Sequence, residues 1–209
     1  MVNWSFAYAE NQHTWTELFN QIKDSPFALV CDGQRGQLKA ARERWSNIVI
    51  QRCQFHVIHQ ANLLLTKNPE SIPAQELKRL VSKITKVKTR DDLNIWLIKF
   101  KTWYVLYEDF LNEKTYSDSL TPTGRHKWHY THAKLHRSFS HISNALPNLF
   151  QYIKYPQIPN TSNRIEGSVN AHLQRTIDFH RGSNLIGQRQ LIAAFLKGKQ
   201  GEKPPRNVT

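Results

Sequence analysis

A short uninterrupted apolar stretch, Phe27–Cys31, ends on Asp32 and Gly33 and constrains the fold more than any other part of the sequence. Such a run between turn signals is typical of a buried strand, and Pro26 precedes it where a missing N–H is tolerated. Asp32 would then lie at the carboxyl end of that strand, where α/β sheets bind their ligands, and its carboxylate could hold a divalent metal. The alternative is a simple turn, since Asp-Gly is a common turn dipeptide.

The charge of the chain indicates the kind of partner. Its 209 residues include 29 Lys and Arg against 16 Asp and Glu, a net charge of +13. An excess this large on a folded chain favours a polyanion. The two cysteines are too few for a disulfide scaffold and predict reduced thiols in the cytoplasm. No apolar run approaches membrane-spanning length and the N-terminus does not resemble a signal peptide, so we expect no membrane partner.

Strands and helices alternate over residues 1–53. Val2–Ala9 alternates apolar and polar side chains and predicts a strand. Residues 11–23 place apolar side chains on one face of a helix, and a shorter helix is predicted over 37–45. A β-branched run at 47–53 predicts another strand. Alternation of this kind favours an α/β sandwich.

Residues 54–155 show helical spacing instead. Thr89 and Asp92 resemble a capping box, with Asp in place of Glu. Because a loop of about a hundred residues is implausible within a compact domain, we expect this block to be an all-helical insertion. The apolar positions with helical spacing are Phe55, Ile58, Leu65, Leu77, Leu80, Val81, Ile84, Leu93, Trp96, Leu97, Phe100, Tyr104, Tyr107, Trp128, Leu135, Ile142, Leu146, Leu149 and Phe150.

Two prolines at 156 and 159 end the helical block, and Thr161 or Ser162 can cap the next helix. Asn163, Glu166 and Asn170 lie on one face of that helix, at spacings of three and four. This face is either solvated, with Glu166 favoured by the helix dipole, or it brings Glu166 to Asp32 at a metal.

Several motifs occur in a fixed order along the chain: Asp32-Gly33, Cys53-x-x-His56, Trp128-x-Tyr130-Thr131-His132, Thr161-Ser162-Asn163-x-x-Glu166-Gly167, and Arg175 with His180-Arg181-Gly182. Together they resemble the Mutator-type transposases of bacterial insertion sequences. The resemblance implies an RNase H-like core with a helical insertion before the last acidic residue. It also implies that Asp32 and Glu166 are two of three carboxylates that hold two Mg²⁺ or Mn²⁺ ions in the complete enzyme. Cys53, His56, Asn163 and Asn170 are candidate supports of that site.

The same resemblance implies partners and a location. The partners are the terminal inverted repeats and the target DNA, with a homo-oligomer as a further expectation. The location is the bacterial cytoplasm, in association with the nucleoid.

The first aspartate of the family lies on a strand upstream of the second, whereas this chain opens on what looks like the third strand. We therefore expect a truncated copy with an incomplete core. The predicted parts are residues 1–53 with strands 3 to 5, the helical insertion at 54–155, and the final core helices with the basic tail at 156–209.

Cys53-x-x-His56 is also half of a zinc-site pattern. Structural zinc normally requires four ligands, and Cys31, the other cysteine, is predicted to lie within a strand. We therefore favour the interpretation that Cys53 ends a buried strand and that His56 caps or packs the following helix.

Cations and aromatic side chains mix in the stretch from Arg125 to His132, a combination that can hold phosphates and stack on unpaired bases. The alternative is a core helix with Trp128 inward. A second basic stretch, from Arg175 to Arg181, is either a DNA contact or a solvated helix end. The candidate DNA-binding residues are Arg125, Lys127, Trp128, His132, Arg164, Arg175, His180 and Arg181.

Two functions follow from these observations. One is a DDE-type DNA transposase that cleaves and transfers strands with divalent metal. The other is a non-catalytic DNA-binding remnant that keeps the fold and the charge.

Overall fold

The computed structural model describes residues 3–162, 167, 169, 171–182 and 184–200, with the backbone alone at 199 and 200. The described chain is mixed α/β and mainly helical, so the predicted α/β class is confirmed. It divides into two compact units. One unit comprises residues 1–27, 34–48 and 162–209, and the other comprises residues 28–33 and 49–161.

The elements follow one another along the chain with two short 3₁₀ turns, Ile84–Lys86 and Leu146–Asn148. In order they are α1 (Gln12–Asn20), β1 (Ala28–Cys31), α2 (Arg35–Arg44), β2 (Val49–Arg52), α3 (Gln54–Leu65), α4 (Ile72–Ser82), α5 (Arg90–Asn112), β3 (Lys114–Leu120), β4 (His126–Tyr130), α6 (Ala133–Ala145), α7 (Gln151–Lys154), α8 (Ala171–Phe179) and α9 (Leu185–Gln200).

In the first unit, α1 packs against α2. Asn11 and Thr14 form a capping box that begins α1, and the rings of Phe19 and Trp45 lie 5.0 Å apart between centroids. A Cβ at Gly36 would lie 2.6 Å from the backbone nitrogen of Gln12, so the glycine permits this close approach. Both helices occur where the sequence predicts them, within one to three residues at each end.

The predicted first strand is wrong over the residues that the structure describes: none of residues 3–9 belongs to a strand. A strand requires a neighbouring backbone to pair with, and alternation alone cannot supply it. The apolar side chains find other contacts. Trp4 packs edge-on against Phe6, and the Arg189 guanidinium lies 5.7 Å from the Phe6 ring.

The second unit contains a parallel pair of strands, β1 and β2, in the register Ala28↔Val49 to Cys31↔Arg52. The predicted strand before Asp32 is therefore confirmed, and the strand predicted over 47–53 is found at 49–52. β1 is less buried than its apolar run predicts: Cys31 is buried, whereas Ala28, Leu29 and Val30 are half-buried. The described sheet has only these two strands, so β1 is covered less than a central strand would be.

Helices α3 to α6 enclose one continuous apolar core. The N-terminal end of α5 has the predicted capping box, in which Thr89 and Asp92 exchange hydrogen bonds. Aromatic rings stack across the core, with Phe139 parallel to Phe100 and Tyr104 at centroid distances of 5.3 and 4.9 Å. The fully buried members of the core include Val57, Ala61, Leu77, Val81, Ile84, Ile142, Ala145 and Leu149.

An antiparallel hairpin, β3 with β4, contradicts the prediction that residues 54–155 are all helical. The turn is made by Thr121–Gly124, where the Gly124 N–H donates to the Thr121 carbonyl at 2.9 Å and φ of Gly124 is +75°. Trp128 lies on β4 and is 47% exposed, so the alternative that places it inside a core helix is also wrong. Leu135, the other inward residue of that alternative, is buried on α6. The sequence features that indicate this hairpin are the Tyr, Thr and Ser residues of β3 and the Thr-Gly turn.

Candidate functional site

Asp32 lies directly after β1, at the carboxyl end of the parallel pair, and its side chain is exposed. Gly33 follows with φ of +87°, and a Cβ there would overlap the guanidinium of Arg52. The turn at Asp32-Gly33 therefore has the strand-end position that the sequence predicts. It also depends on a glycine for both its backbone conformation and its space.

Arg52 is the neighbour of Asp32 that sequence reasoning missed. It is the last residue of β2, pairs in register with Cys31 and is only 7% exposed. Burial lowers the pKa of Arg52, and the charge of Asp32 acts in the opposite direction. Within the described chain its Nε atom is buried without a hydrogen-bond partner. Its guanidinium fills the space beside Gly33 at the carboxyl end of β1.

The donor set for a metal is only partly described. The Asp32 carboxylate suits Mg²⁺ or Mn²⁺, which prefer oxygen ligands. Within the described ranges no group of three His, Cys, Asp or Glu side chains is arranged to hold a metal. Glu166, Asn163, Asn170 and Arg164 lie outside the described residues. The described residues thus supply one oxygen ligand of the right type at this edge of the sheet, the Asp32 carboxylate.

Cys53 and His56 lie at the start of α3. The Cys53 N–H donates to the Cys31 carbonyl at 2.7 Å, which extends the pairing of β1 and β2 by one residue. Both cysteines are buried, and burial raises the pKa of Cys31 to about 11. The hydrogen bond places Cys53 at the end of the strand pairing, as the structural interpretation of this motif predicts.

A network of hydrogen bonds fixes the chain just before the segment with Glu166. The Gln54 N–H donates to the Asn160 carbonyl at 2.9 Å, and Asn160 Nδ2 donates to Gln54 Oε1 at 3.1 Å. Gln54 Nε2 also donates to the Tyr152 hydroxyl at 2.9 Å, and that hydroxyl donates to the Val87 carbonyl at 2.6 Å. Gln54 is fully buried, so this network anchors residue 160 at the end of β2. A buried glutamine has no sequence signal of its own.

The β3–β4 hairpin presents aromatic and basic side chains together. Tyr116 pairs with Trp128 across the strands, and the ammonium of Lys114 lies 4.3 Å from the Trp128 ring centroid. Arg125 and Lys127, two of the predicted DNA-binding residues, are exposed on this hairpin. A surface of this composition can bind phosphates and stack on bases.

His132, another predicted DNA-binding residue, lies at the base of the hairpin. Its Nε2 is 3.0 Å from Glu113 Oε2, and its ring stacks on Phe110 at a centroid distance of 3.6 Å. These contacts connect the end of α5 to the start of α6. His132 therefore holds the hairpin in place and is less available to DNA than Arg125 or Lys127.

The second basic stretch lies in the other unit. Arg175 is exposed on α8, and Arg181, after the helix, is 3.6 Å from Asp178. His180 is exposed at the helix end, where its N–H donates to the Ile177 carbonyl at 3.1 Å. These positions are compatible with either interpretation of the stretch, a DNA contact or a solvated helix end.

The family described as "Transposase, Mutator family" matches residues 2–121, which is 120 of the 209 residues. That segment contains Asp32, Cys53 and His56 and ends before Trp128 and Glu166. No curated protein matches the chain, and no solved structure does. Among the described helices, none is long and apolar enough to cross a membrane. Because the match covers more than half of the sequence, this chain belongs to the Mutator family of transposases.

Proposed function

We propose that the chain acts in DNA transposition as the catalytic region of a DDE-type transposase of a bacterial insertion sequence. In this proposal the fold around β1 and β2 is part of an RNase H-like core, and Asp32 and Glu166 are two of its metal-binding carboxylates. The substrates are the terminal inverted repeats and the target DNA. Family membership supports a role in transposition, and the position of Asp32 at the carboxyl end of β1 supports its role as a metal ligand.

The observation that carries the proposal is a chain of backbone hydrogen bonds between two distant segments. Cys31, the residue before Asp32, accepts from Cys53, and the next residue, Gln54, donates to Asn160. Asn160 and Asp32 are therefore held at the same end of the parallel pair, although they are 160 − 32 = 128 positions apart in sequence. The motif that contains Glu166 begins at Thr161, the residue after Asn160, and this supports Glu166 as the second carboxylate of the proposal.

The metals would be held by carboxylate oxygens of Asp32 and Glu166, with the amides of Asn163 and Asn170 as supports. When bound, two such ions stabilise the attacking and leaving oxygens of an in-line displacement at phosphorus. Arg52 has a structural role in the proposal: its buried guanidinium fills the space beside Gly33, in the turn that follows Asp32.

DNA binding is proposed for the hairpin and for the basic end of α8. Arg125, Lys127 and Trp128 would contact the backbone and unpaired bases, and Arg175, His180 and Arg181 would contact phosphates. The net charge of +13 supports a polyanionic partner of this kind.

The second candidate function is that of a non-catalytic DNA-binding member of the family. The net charge of +13 and the exposed basic side chains of the hairpin support DNA binding without requiring a metal site.

A strand-cleavage and strand-transfer assay distinguishes the two functions. The substrate is DNA with the terminal repeats that border the gene, in Mg²⁺ or Mn²⁺, and the assay is run on the 209-residue chain and on any longer product of the same gene. The first function requires that Asp32→Asn and Glu166→Gln each abolish metal-dependent products while DNA binding persists. Glu70→Gln, at an exposed position before α4, is the control. Products that survive both site variants would exclude Asp32 and Glu166 as the metal ligands.

A further inference from the structure

Helix α5 has apolar side chains on two opposite faces. The inner face, with Trp96, Phe100 and Trp103, is at most 6% exposed and belongs to the core. The outer face carries Ile95, Ile98, Val105 and Leu106, which are 52, 65, 65 and 67% exposed. A surface helix normally buries a single apolar face against its core. The second apolar face of α5 therefore indicates a further binding partner.

The outer residues form a continuous row. Positions 95, 98, 102 and 105 follow spacings of three, four and three, which is the seam that two packed helices share in a coiled coil. Thr102 is exposed in the middle of this row, and Leu106 borders it. We call Ile95, Ile98, Thr102, Val105 and Leu106 the outer stripe. Single exposed apolar residues are ordinary, but four apolar side chains along one face within about 16 Å mark an interaction surface.

The surface beside the outer stripe is recessed. Two cavities of about 280 Å³ each lie in the groove between α4 and α5. One is bordered by Ile95 and the other by Leu106, and Lys99 borders both. Such recesses can receive side chains from a helix that crosses the stripe.

Two charges beside the outer stripe indicate which kind of helix would pack on it. Lys101 and Glu108 are exposed and seven residues apart, or about two helical turns, on one flank of α5. Although the helix is kinked at Tyr107, Glu108 stays on this flank because its carboxylate accepts a hydrogen bond from the Tyr104 hydroxyl at 2.7 Å. An antiparallel copy of the same helix would set each Lys101 opposite the other copy's Glu108. The surface is thus complementary to itself.

We propose that the outer stripe is an interface between two copies of this chain, in which the α5 helices pack antiparallel about a two-fold axis near Thr102 and Val105. Nucleic acid would leave the apolar stripe uncovered, and a second copy covers it while pairing both charges. The proposal concerns only the unit that contains helices α3 to α6, and it does not depend on the assignment of Asp32 and Glu166.

The first test is the oligomeric state of the nuclease-treated chain in sedimentation equilibrium and light scattering. We expect a dimer that dissociates on dilution, and we expect Val105→Glu to weaken it roughly tenfold or more, because the substitution buries an unpaired charge at the axis. Leu63→Glu is the matched control, since Leu63 is 61% exposed on α3, away from the stripe. Circular dichroism confirms that each variant is folded. A chain that stays monomeric up to about 100 µM, a concentration at which weak dimers still form, would overturn the proposal.

The second test is a charge exchange. Lys101→Glu and Glu108→Lys should each weaken the dimer, because each sets like charges opposite one another, and the double variant should restore it. Restored dimerisation in the double variant would identify the antiparallel register, because a helix that is only destabilised would not regain the dimer. A dimer insensitive to Val105→Glu, or a double variant no tighter than the single ones, would show that some other surface or partner covers α5.

Discussion

Gly33 shows how one residue determines the shape of the sheet edge. Its φ of +87° lies in the left-handed region, and the space that a side chain would need is taken by the Arg52 guanidinium. Gly124 has a similar φ of +75°, but nothing lies within 4 Å of where its Cβ would be. Comparison of the two glycines therefore separates the effect of backbone conformation from the effect of local crowding.

We predict that Gly33→Ala lowers the free energy of unfolding by about 1–3 kcal/mol, because it combines left-handed strain with displacement of a buried guanidinium. Gly124→Ala should cost about 1 kcal/mol or less, from strain alone at an exposed turn. Urea denaturation followed by tryptophan fluorescence measures both. Equal costs for the two variants would mean that Arg52 yields freely to a side chain at position 33.

Gln54 is the second residue for which a single substitution is informative. We predict that Gln54→Ala lowers the free energy of unfolding by about 1–3 kcal/mol, because Asn160 and the Tyr152 hydroxyl lose buried hydrogen bonds. Gln60→Ala, at an exposed position of the same helix, is the control and should change it by no more than about 0.5 kcal/mol. Amide exchange should also rise at residue 54, whose N–H bonds to residue 160. A variant as stable as the control would show that the network contributes no net stability.

At the scale of elements, α5 illustrates a helix whose start is encoded locally. Asp92 accepts hydrogen bonds from the Lys88 and Thr89 N–H groups and from the Thr89 hydroxyl, and these hold the pKa of its carboxyl below the ordinary value of 3.8. A carboxyl whose pKa is lower in the folded state than in the unfolded state stabilises the fold when ionised. That contribution is present above pH 3.8 and is lost as the pH falls through the lower folded value.

We therefore predict that acid destabilises Asp92→Asn less steeply than the native chain below about pH 4. Asp91→Asn, which removes the same charge from the same turn, is the control. The measurement is the urea midpoint across that pH range. If the pH slopes of the native chain and of Asp92→Asn coincide, the capping bonds of Asp92 do not contribute to acid unfolding.

The hairpin is the element on which the DNA proposal can be divided into charge and stacking. Lys127→Ala should weaken binding to all DNA sequences and reduce the slope of log affinity against log salt by about one. Trp128→Ala should weaken binding to single-stranded DNA by about 1–3 kcal/mol and leave the salt slope unchanged. Fluorescence anisotropy over a salt series distinguishes the two. Lys67→Ala, an exposed cation before α4, is the control, and a loss of affinity there equal to that of Lys127→Ala would remove the special role of the hairpin.

At the scale of the whole molecule, charge determines the expectation for binding. The net charge of +13 predicts DNA binding whose affinity falls steeply with salt, because counterions are released when phosphates are neutralised.

We predict that the 209-residue chain binds terminal-repeat DNA with an affinity that falls steeply as the salt concentration rises. A binding assay over a salt series measures the slope of log affinity against log salt. An affinity that does not change with salt would show that neutralised phosphates contribute little to binding.

What the sequence by itself determined is what neighbouring residues encode. The strand before Asp32, the capping boxes at Asn11 and Thr89, and the buried faces of α4 and α5 all follow from residues at most a few turns apart. Helical hydrogen bonds close within four residues, so periodicity and caps suffice to predict them. Membership of the transposase family was predictable as well: motifs in a fixed order carry the resemblance, and the family model matches residues 2–121.

Tertiary structure decided everything that depends on a partner far along the chain. Residues 3–9 alternate as a strand would but have no neighbouring strand in the described chain, whereas β3 and β4 pair through a turn that helical periodicity concealed. The contact of Arg52 with Gly33 and the bonds of Gln54 to Asn160 join residues 19 and 106 positions apart. A strand or a buried polar group is stable only when a distant segment satisfies its hydrogen bonds, and no local pattern specifies which segment that will be.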